Sequence, residues 1–363
     1  MSTPFLSRQA TFRSLLTSLQ LDSALIFGYE NIRYLSGFSG HAAYLVINQN
    51  SGYLVTDYRY AEQATNESQG FEVICRDRDN ETLGHCFNRL IDKNAKLGFE
   101  ADHIHVGAWQ AINAELSVAQ LTPIQGVVER MRSVKDDWEV KQIELAAAIA
   151  DQALNETLPY FKTGTSERDI ALELEYRMQK LGSNGMSFDT ILLFGERTSL
   201  PHGMPGDRKL AVGDFITLDF GAVINGYRSD MTRSYIYGEA SEKQQLVYQT
   251  VADAQAAAKA EVVAGVAATN ALKASHRVIE NAGFSEYAGE GLGHGVGLFL
   301  HEFPIIKPNC DYQLEAGNVI TIEPGIYIPN FGGVRLEDDI LVTENGYKLL
   351  THAPKQMILP ERG

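Results

Sequence analysis

The sequence predicts two domains, a small α/β domain followed by a larger α+β domain that contains an internal duplication. The first observation is the length of 363 residues, which suits about two domains. The second is an alternation of short apolar runs with amphipathic stretches through the first third of the chain. The third is a pair of motifs that occur twice in the remaining two thirds.

The N-terminal domain is expected to cover residues 1–127. Its apolar runs, such as 24–27 and 43–47, have the length and composition of buried strands. Between such runs lie amphipathic stretches, for example 81–91, whose apolar residues have helical spacing. A charged, mixed segment then marks the boundary, so the second domain is expected to cover residues 128–363.

The second domain shows four long helical patterns. Alanine and isoleucine spaced by three and four predict a helix over 137–160, and Ser166 is the predicted N-cap of the helix that runs to residue 181. Strand-like segments follow, and helical patterns return at 241–263 and 269–281. The remainder reads as strands and turns.

The same motifs occur twice in this second domain. The sequence GDFITLDFG at 213–221 is matched by GNVITIEPG at 317–325, and PHGMP at 201–205 is matched by LHEFP at 300–304. The copies lie about a hundred residues apart, so a duplicated unit explains them better than a solenoid, whose repeats span about 20 to 50 residues. Each copy puts an acid at the same place, which is the most informative fact in the sequence.

In the first copy, two aspartates flank a predicted hairpin. Asp219 and Asp230 lie on either side of Asn225-Gly226, the strongest two-residue hairpin signal. If Ile224 pairs with Tyr227, the two carboxylates become diagonal neighbours on one face, about 7 Å apart at their Cα atoms. Two like charges so placed repel each other unless a cation lies between them.

The second copy repeats this arrangement with glutamates. Glu323 and Glu337 lie on two strand-like runs separated by turn residues. A pseudo-two-fold relation between the copies would bring both hairpins to one centre. The sequence therefore predicts a site that holds Asp219, Asp230, Glu323 and Glu337.

One histidine offers a nitrogen ligand for the same site. His294 lies among alternating glycines in GLGHGVG at 291–297, which allow close backbone approach and restrict the direction of the imidazole. Two divalent cations balance four carboxylates, and a set of oxygens with one imidazole suits manganese, cobalt, iron or zinc. Two metals about 3.5 to 4 Å apart can bridge and acidify a water, which gives a nucleophile at neutral pH.

Two further histidines stand at matching places in the copies. His202 and His301 can approach the predicted site from its two sides and hydrogen-bond the substrate carbonyl, the developing oxyanion or the leaving amine. The alternative is that each bonds only a loop backbone. Arg335 is two residues from Glu337, so a structural ion pair competes with a role in substrate binding.

The five predicted ligands resemble, with their contexts, those of the pita-bread metallopeptidases, the group of Xaa-Pro aminopeptidases, prolidases and methionine aminopeptidases. The contexts are LDFG, SDMTR, GHGVG, IEPGIY and VRLEDD. NIRYL at 31–35 and TDYRY at 56–60 resemble the creatinase-type N-terminal domain of the first two. The resemblance implies five metal ligands, Asp219, Asp230, His294, Glu323 and Glu337.

The resemblance also implies roles beyond metal binding. Glu323 would accept the proton of the nucleophile, His202 and His301 would contact the substrate and the transition state, and Arg335 would orient groups nearby. It implies two divalent ions, manganese first, with cobalt, zinc and iron as alternatives. Dimers are common among such proteins, so a homodimer is expected.

The leading functional hypothesis is hydrolysis of the N-terminal peptide bond, preferentially before proline, by a metal-bridging hydroxide. Many proline-specific relatives carry a histidine four residues before the metal-binding one, where this chain has Glu290, which weakens a strict proline preference. Ile305 and Ile306 stand where some dipeptide-specific relatives place an arginine, which slightly favours longer peptides as substrates. The alternatives are a prolidase (Xaa-Pro dipeptidase), a creatinase-like metal-free amidinohydrolase and a non-catalytic binding module.

Composition narrows the class of protein further. The formal net charge of −15 argues against nucleic-acid and anionic-membrane partners, because a polyanion is repelled. Three scattered cysteines predict neither a disulfide framework nor a zinc knuckle. The first residues lack a secretory signal, and no apolar stretch approaches the roughly 20 residues of a membrane span. A cytoplasmic protein with a peptide substrate is expected.

Overall fold

A computed structural model describes residues 4–362 of the chain, which divides into two compact units between Met131 and Arg132. None of the described helices is both long and apolar enough to cross a membrane.

The first unit is an α/β domain, as predicted, with one six-stranded mixed sheet in the order β4-β3-β2-β1-β5-β6. The apolar runs predicted as strands form its centre, and Leu25, Val46 and Val55 are fully buried there. The strands are β1 Ser23–Ile26, β2 Tyr44–Asn48, β3 Gly52–Thr56, β4 Glu72–Cys75, β5 Lys96–Glu100 and β6 Gln120–Ile124. The helices are α1 Phe5–Ser18, α2 Tyr29–Ser36, α3 Ala61–Glu67, α4 Leu83–Asn88 and α5 Val106–Asn113. A sixth helix, α6 Val127–Ser133, contains the boundary between the two units.

The second unit contains four long helices whose starts are set by side-chain caps. Asp136 and Ser241 each form a capping box with the residue three positions on, which satisfies backbone donors at the helix start. Ser166 caps its helix as predicted and accepts a hydrogen bond from the amide of Asp169. The helices are α7 Asp137–Thr157, α8 Glu167–Lys180, α9 Glu242–Ala260 and α10 Ala268–Asn281.

The strands of this unit form two main sheets that reflect the duplication. The first has the order β19-β11-β8-β7, and the second has the order β13-β12-β14-β17-β18. Two short two-stranded ribbons, β9-β10 and β15-β16, complete the set. The strands are β7 Ile191–Phe194, β8 Phe215–Phe220, β9 Val223–Ile224, β10 Tyr227–Arg228, β11 Met231–Tyr237, β12 Gly293–Gly295, β13 Glu302–Ile306, β14 Val319–Ile322, β15 Gly325–Ile328, β16 Gly332–Arg335, β17 Asp338–Thr343, β18 Gly346–Leu349 and β19 Ile358–Leu359.

Each copy of the duplicated unit is a helix pair followed by antiparallel strands. Helices α7 and α8 precede β7, β8 and β11, whereas α9 and α10 precede β12, β14 and β17. Buried apolar side chains such as Leu154 and Leu174 pack against Leu218 in the first copy, and Leu272 packs with Ile320 in the second. The α+β architecture with an internal pseudo-two-fold relation is therefore confirmed. Its strands carry the residues of the site.

Candidate metal centre

The first hairpin has the register that the sequence predicted. Ile224 pairs with Tyr227 across a turn in which Asn225 and Gly226 both have positive φ, 49° and 80°. The same register continues into β8 and β11, where Asp219 lies opposite Thr232. Asp230 precedes β11 and is therefore a diagonal neighbour of Asp219. Its backbone amide donates to Asp339 Oδ2 at 2.8 Å, which holds this interrupted stretch of strand in place.

The second hairpin is interrupted at the residues that matter. Strands β14 and β17 pair as far as Ile322 opposite Asp338, and β15 and β16 begin with Gly325 opposite Arg335. The register is unchanged across the gap, so Glu323 and Glu337 lie opposite each other. Both carboxylates thus lie where the ladder between the two strand pairs is interrupted.

His294 joins the two hairpins. It lies on β12, which pairs with β14, and its Nε2 atom is 3.3 Å from Glu323 Oε1 and 3.6 Å from Asp230 Oδ2. Its Nδ1 atom is 3.0 Å from the carbonyl oxygen of Gly295. Because a carbonyl only accepts hydrogen bonds, Nδ1 carries the proton there, and the lone pair of Nε2 is directed towards the carboxylates.

The glycines beside His294 are required by close backbone approach. A Cβ atom on Gly293 would lie 2.1 Å from the carbonyl oxygen of Thr321, and one on Gly295 would lie 2.2 Å from that of Phe303. No other residue type therefore fits between the neighbouring strands at these positions. The alternating glycines allow the imidazole to lie deep in the sheet, where it is 8% exposed.

The carboxylates strongly perturb one another. Burial raises the pKa of Asp230, and the neighbouring Glu337 and Asp219 raise it further. Burial also raises the pKa of Glu337 well above its usual value, with Glu323 and Asp219 adding to the effect. The pKa of Glu323 is raised by burial despite the opposing influence of His294 and Arg335. Such a set is stable in its ionised form when cations lie between the carboxylates.

The cavity above these residues has a volume of about 900 Å³. It is lined by all five predicted ligands, by both predicted substrate histidines and by Arg335; Ile305 and Ile306 also line it, as does Lys307. Gly289 and Gly291 contribute to its wall, whereas Glu290 between them is not among its described lining residues. Ligand atoms of Asp230, His294 and Glu337 all lie within 4.8 Å of one another.

His202 and His301 lie at the same cavity on two different loops. The ring of His301 is 4.4 Å from that of His294, centroid to centroid, in an edge-on arrangement. Burial lowers the pKa of His301, and His294 and His202 lower it further, against the influence of Asp219. His301 is therefore predominantly neutral near pH 7. The structure brings both histidines beside the carboxylates, and their roles in substrate binding stay predictions.

Arg335 makes an ion pair, but with a different partner from the one expected. Its Nη2 atom donates to Asp219 Oδ2 at 2.6 Å, whereas the sequence suggested a pair with Glu337 on the same strand. The difference arises because β16 ends at Arg335, so Glu337 lies beyond the ladder on which that expectation depended. The guanidinium also donates to Thr232 Oγ1, to the hydroxyl of Tyr327 and to the carbonyl of Pro201.

Comparisons with known proteins show the family of this chain. The sequence model of metallopeptidase family M24 matches residues 141–344, and that of the creatinase/prolidase N-terminal domain matches residues 8–134. The chain belongs to metallopeptidase family M24. It is 35% identical to the Xaa-Pro dipeptidase of Pyrococcus horikoshii over 339 residues, which covers 93% of this chain and 95% of that protein.

Solved structures of two peptidases are similar to this chain over nearly its whole length. An Xaa-Pro dipeptidase from Bacillus anthracis superimposes with a TM-score of 0.93 at 36% identity, covering 97% of this chain and 99% of the other. An X-Pro aminopeptidase from Thermotoga maritima gives a TM-score of 0.88 at 33% identity, covering 96% and 99%. The creatinase-type N-terminal domain and the pita-bread catalytic domain predicted from the sequence are thereby confirmed. The two neighbours have different named specificities.

Three residues at this M24 site were missed by the sequence reasoning. Thr232 donates from Oγ1 to Glu337 Oε2 at 2.6 Å, and Tyr327 accepts from Arg335 at 2.8 Å. Asp339 holds the amide of Asp230. All three residues lie within the sequence motifs that contain the predicted ligands. The contacts of Thr232 and Asp339 join strands of different copies, whereas Tyr327 bonds Arg335 within the hairpin of the second copy. No local sequence pattern reveals these contacts.

Proposed function

We propose that this M24 metallopeptidase hydrolyses the N-terminal peptide bond of its substrates, preferentially before proline, with the aid of two divalent ions. The ions would be held by Asp219, Asp230, His294, Glu323 and Glu337. The observation that carries the proposal is the convergence of four carboxylates and one properly oriented imidazole at one large cavity. The two loops that carry His202 and His301 border the same cavity.

The donor set fits a pair of hard or borderline cations. It consists of carboxylate oxygens and one imidazole nitrogen without a thiolate, which suits manganese, cobalt, iron or zinc. Asp219 Oδ1 is buried and has no hydrogen-bond partner among the described residues, an unusual situation that a bound cation would relieve. Four negative charges match two divalent ions, and manganese remains the first expectation.

Bound ions would supply Lewis acidity and make a water nucleophilic at neutral pH. The side chains of the chain supply the remaining functions. Glu323, whose pKa is raised, is suited to accept a proton from the nucleophile, and the hydroxyl of Thr321 donates to its Oε1 at 3.1 Å. Neutral His301 can donate a hydrogen bond to the carbonyl of the scissile bond, with His202 on the other side.

Charge in the cavity is suited to a free amino terminus. Asp189 and Glu286 line its outer part in addition to the ligands, so a positively charged α-amine would be attracted. Lys307 and Arg335 are the two cations among the described lining residues, and Arg335 is already paired with Asp219. The acidic balance supports an exopeptidase that recognises the amine end of its substrate.

One observation favours the alternative, an Xaa-Pro dipeptidase. Lys307 follows β13, lines the cavity and is exposed, so its ammonium group can reach the free carboxylate of a dipeptide. The neighbouring Ile305 and Ile306 offer apolar surface that suits a longer peptide instead. A metal-free, creatinase-like reaction is disfavoured because the ligand set is complete.

The experiment that tests the proposal is a peptide panel with purified protein supplied with manganese. Rates would be measured on Xaa-Pro dipeptides, on Xaa-Pro-Xaa tripeptides and on matched peptides with alanine in place of proline. Cleavage of tripeptides before proline is expected. Turnover confined to dipeptides would select the dipeptidase, and no cleavage of any peptide would reject both. The homodimer and the cytoplasmic location remain predictions alongside these.

A further inference from the structure

Two buried glutamates outside the metal centre lie behind the two loops that carry the cavity histidines. Glu302 follows His301 directly at the start of β13, and only 4% of its side chain is exposed. Glu167 is the first residue of α8, and its side chain is fully buried. Neither lines the cavity. Neither glutamate can therefore contact a substrate in the cavity, in contrast to His202 and His301.

Glu302 holds the loop 297–301 from behind. Its Oε1 atom accepts a hydrogen bond from the amide of Phe299 at 2.8 Å and from the guanidinium of Arg132, and its Oε2 atom accepts from Lys135 Nζ at 3.2 Å. The backbone approaches so closely that a Cβ atom on Gly297 would lie 2.7 Å from Oε2. Glu302 is buried at the start of β13, whereas the adjacent His301 lines the cavity.

Glu167 holds the loop 195–205 in a comparable way. Its Oε1 atom accepts from the amide of Phe194 at 2.9 Å, and its Oε2 atom accepts from the amide of Gly206 at 2.7 Å. One carboxylate therefore joins the two ends of the loop that contains His202. Arg197 pairs with the same carboxylate at 3.0 Å and donates from Nη2 to the carbonyl of Met204 at 2.8 Å.

Stability alone explains this arrangement poorly. Removing a carboxylate and its cationic partners from water is costly, and apolar residues of similar volume often stabilise a fold equally well. Charge-assisted hydrogen bonds to backbone amides do provide what apolar packing does not, which is a defined backbone position. The amide of Phe299 is two residues from His301, and the amides of Phe194 and Gly206 flank the loop that contains His202. The gain is in geometry rather than in the free energy of folding.

We propose that Glu302 and Glu167 are positioning residues for hydrolysis, each fixing the loop that carries one cavity histidine. Glu302 acts through His301, and Glu167 acts through His202. The inference rests on the proposed function, because it takes both histidines to contact the substrate. It predicts a selective dependence: each glutamate matters for activity only as long as its own histidine is present.

Double-mutant cycles test this selectivity. Glu302→Gln and Glu167→Gln keep the size of the side chain and remove the charge, and each is expected to lower kcat about 10- to 100-fold through displacement of its loop. Glu302→Gln should have little further effect in a His301→Ala background, and Glu167→Gln little in a His202→Ala background. The matched controls are the crossed pairs, Glu302→Gln with His202→Ala and Glu167→Gln with His301→Ala. In these pairs the fold-reductions in kcat of the two single substitutions should multiply.

Metal content, measured by elemental analysis after purification, separates positioning from a structural role. It should stay at the wild-type level in both single variants. The proposal would be overturned if the reductions in kcat multiplied for each glutamate with its own histidine, as they do for the crossed pairs. It would also be overturned if the variants lost metal in proportion to activity. If a glutamine variant does not fold, Glu302→Asp and Gly206→Ala replace it. The added Cβ of the latter would lie 3.3 Å from Glu167 Oε2 and press on the same contact.

Crystal structures of the variants provide a readout independent of the substrate. The His301 ring should move away from its edge-on contact with His294 in Glu302→Gln while the five ligands stay in place. An unmoved loop in both variants would reject the positioning role, even if the enzyme proves to be a dipeptidase. Conversely, absent peptidase activity with displaced loops would reject the proposed function and leave the positioning of the histidines intact.

Discussion

Arg335 Nη2 lies 2.6 Å from Asp219 Oδ2, and this ion pair connects the two copies of the duplicated unit. Asp219 belongs to β8 of the first copy, and Arg335 ends β16 of the second. Burial alone would lower the pKa of Arg335, but Tyr327 and Asp219 outweigh that effect and raise its pKa. The guanidinium stays charged and holds one oxygen of Asp219, while the other oxygen has no described partner.

Arg335→Met is therefore expected to weaken metal binding by about 10- to 100-fold, because it removes the group that orients a ligand carboxylate. Arg335→Lys should restore little, since an ammonium group cannot reproduce the planar fork that reaches Thr232, Tyr327 and Asp219 together. Titration of the metal-free protein with manganese by calorimetry measures this. Wild-type affinity in Arg335→Met, combined with a raised KM, would instead assign Arg335 to substrate binding.

Asp230→Ala is expected to abolish turnover and to lower the metal content per chain. Its carboxylate lies 3.6 Å from the Nε2 atom of His294, and one of its oxygens lies within 4.8 Å of a carboxylate oxygen of Glu337, so its loss opens the cluster on one side. Elemental analysis together with a peptide assay checks both effects. The control is Asp253→Ala on the outer part of α9. An undiminished rate in Asp230→Ala would remove this residue from the site.

Lys307→Gln tests how the cavity recognises the far end of a substrate. If the ammonium group binds the free carboxylate of a dipeptide, the substitution should raise KM for Xaa-Pro dipeptides about two- to fivefold, the range expected for an exposed ion pair. KM for longer peptides should change little, because their carboxylate lies farther out. Equal changes for both substrate lengths would show that Lys307 does not distinguish them.

The stability of the N-terminal domain is expected to fall as pH rises from about 4.5 to about 7. Burial raises the pKa of Glu100 from 4.5 to about 7, although the amides of Gly28 and Phe27 donate to its Oε2 atom. A raised carboxyl pKa means that the folded state binds the proton more tightly than the unfolded state does. Its stabilising contribution is complete below pH 4.5 and is lost as pH rises through the folded pKa.

Chemical denaturation at pH 4.5 and pH 7.5 measures this effect, with Glu100→Gln as the test variant. The loss that depends on Glu100 should be at most about 3 kcal/mol, from the size of the pKa shift. Glu100→Gln should flatten the dependence, whereas the exposed Glu72→Gln on β4 should not change it. An unchanged slope in Glu100→Gln would show that this carboxyl titrates normally.

Much of the fold follows from local features of the sequence. N-cap residues such as Asp136 and Ser166 indicate where their helices begin, because their side chains accept hydrogen bonds from backbone amides three residues later. The Asn225-Gly226 turn sets the register of its hairpin because few residues adopt positive φ. That register extends unbroken to Asp219, so the relation of the two aspartates was accessible from spacing alone.

The tertiary structure decided the contacts between the copies. The partner of Arg335, the bond from Thr232 to Glu337 and the hold of Asp339 on Asp230 each join strands about a hundred residues apart in the chain. Side-chain spacing records only neighbours on one strand or helix, whereas these bonds depend on how two sheets meet.

The sequence by itself thus determined the two domains, the duplication and the types of residue that converge. Periodicity and turn chemistry act over a few residues and leave a visible pattern. Which carboxylate receives a guanidinium, and which loop a buried Glu167 or Glu302 holds, was decided only in three dimensions. The reason is that an unpaired charge is costly when it is buried, so each buried charge is paired with whichever group the packing of the strands and loops brings beside it.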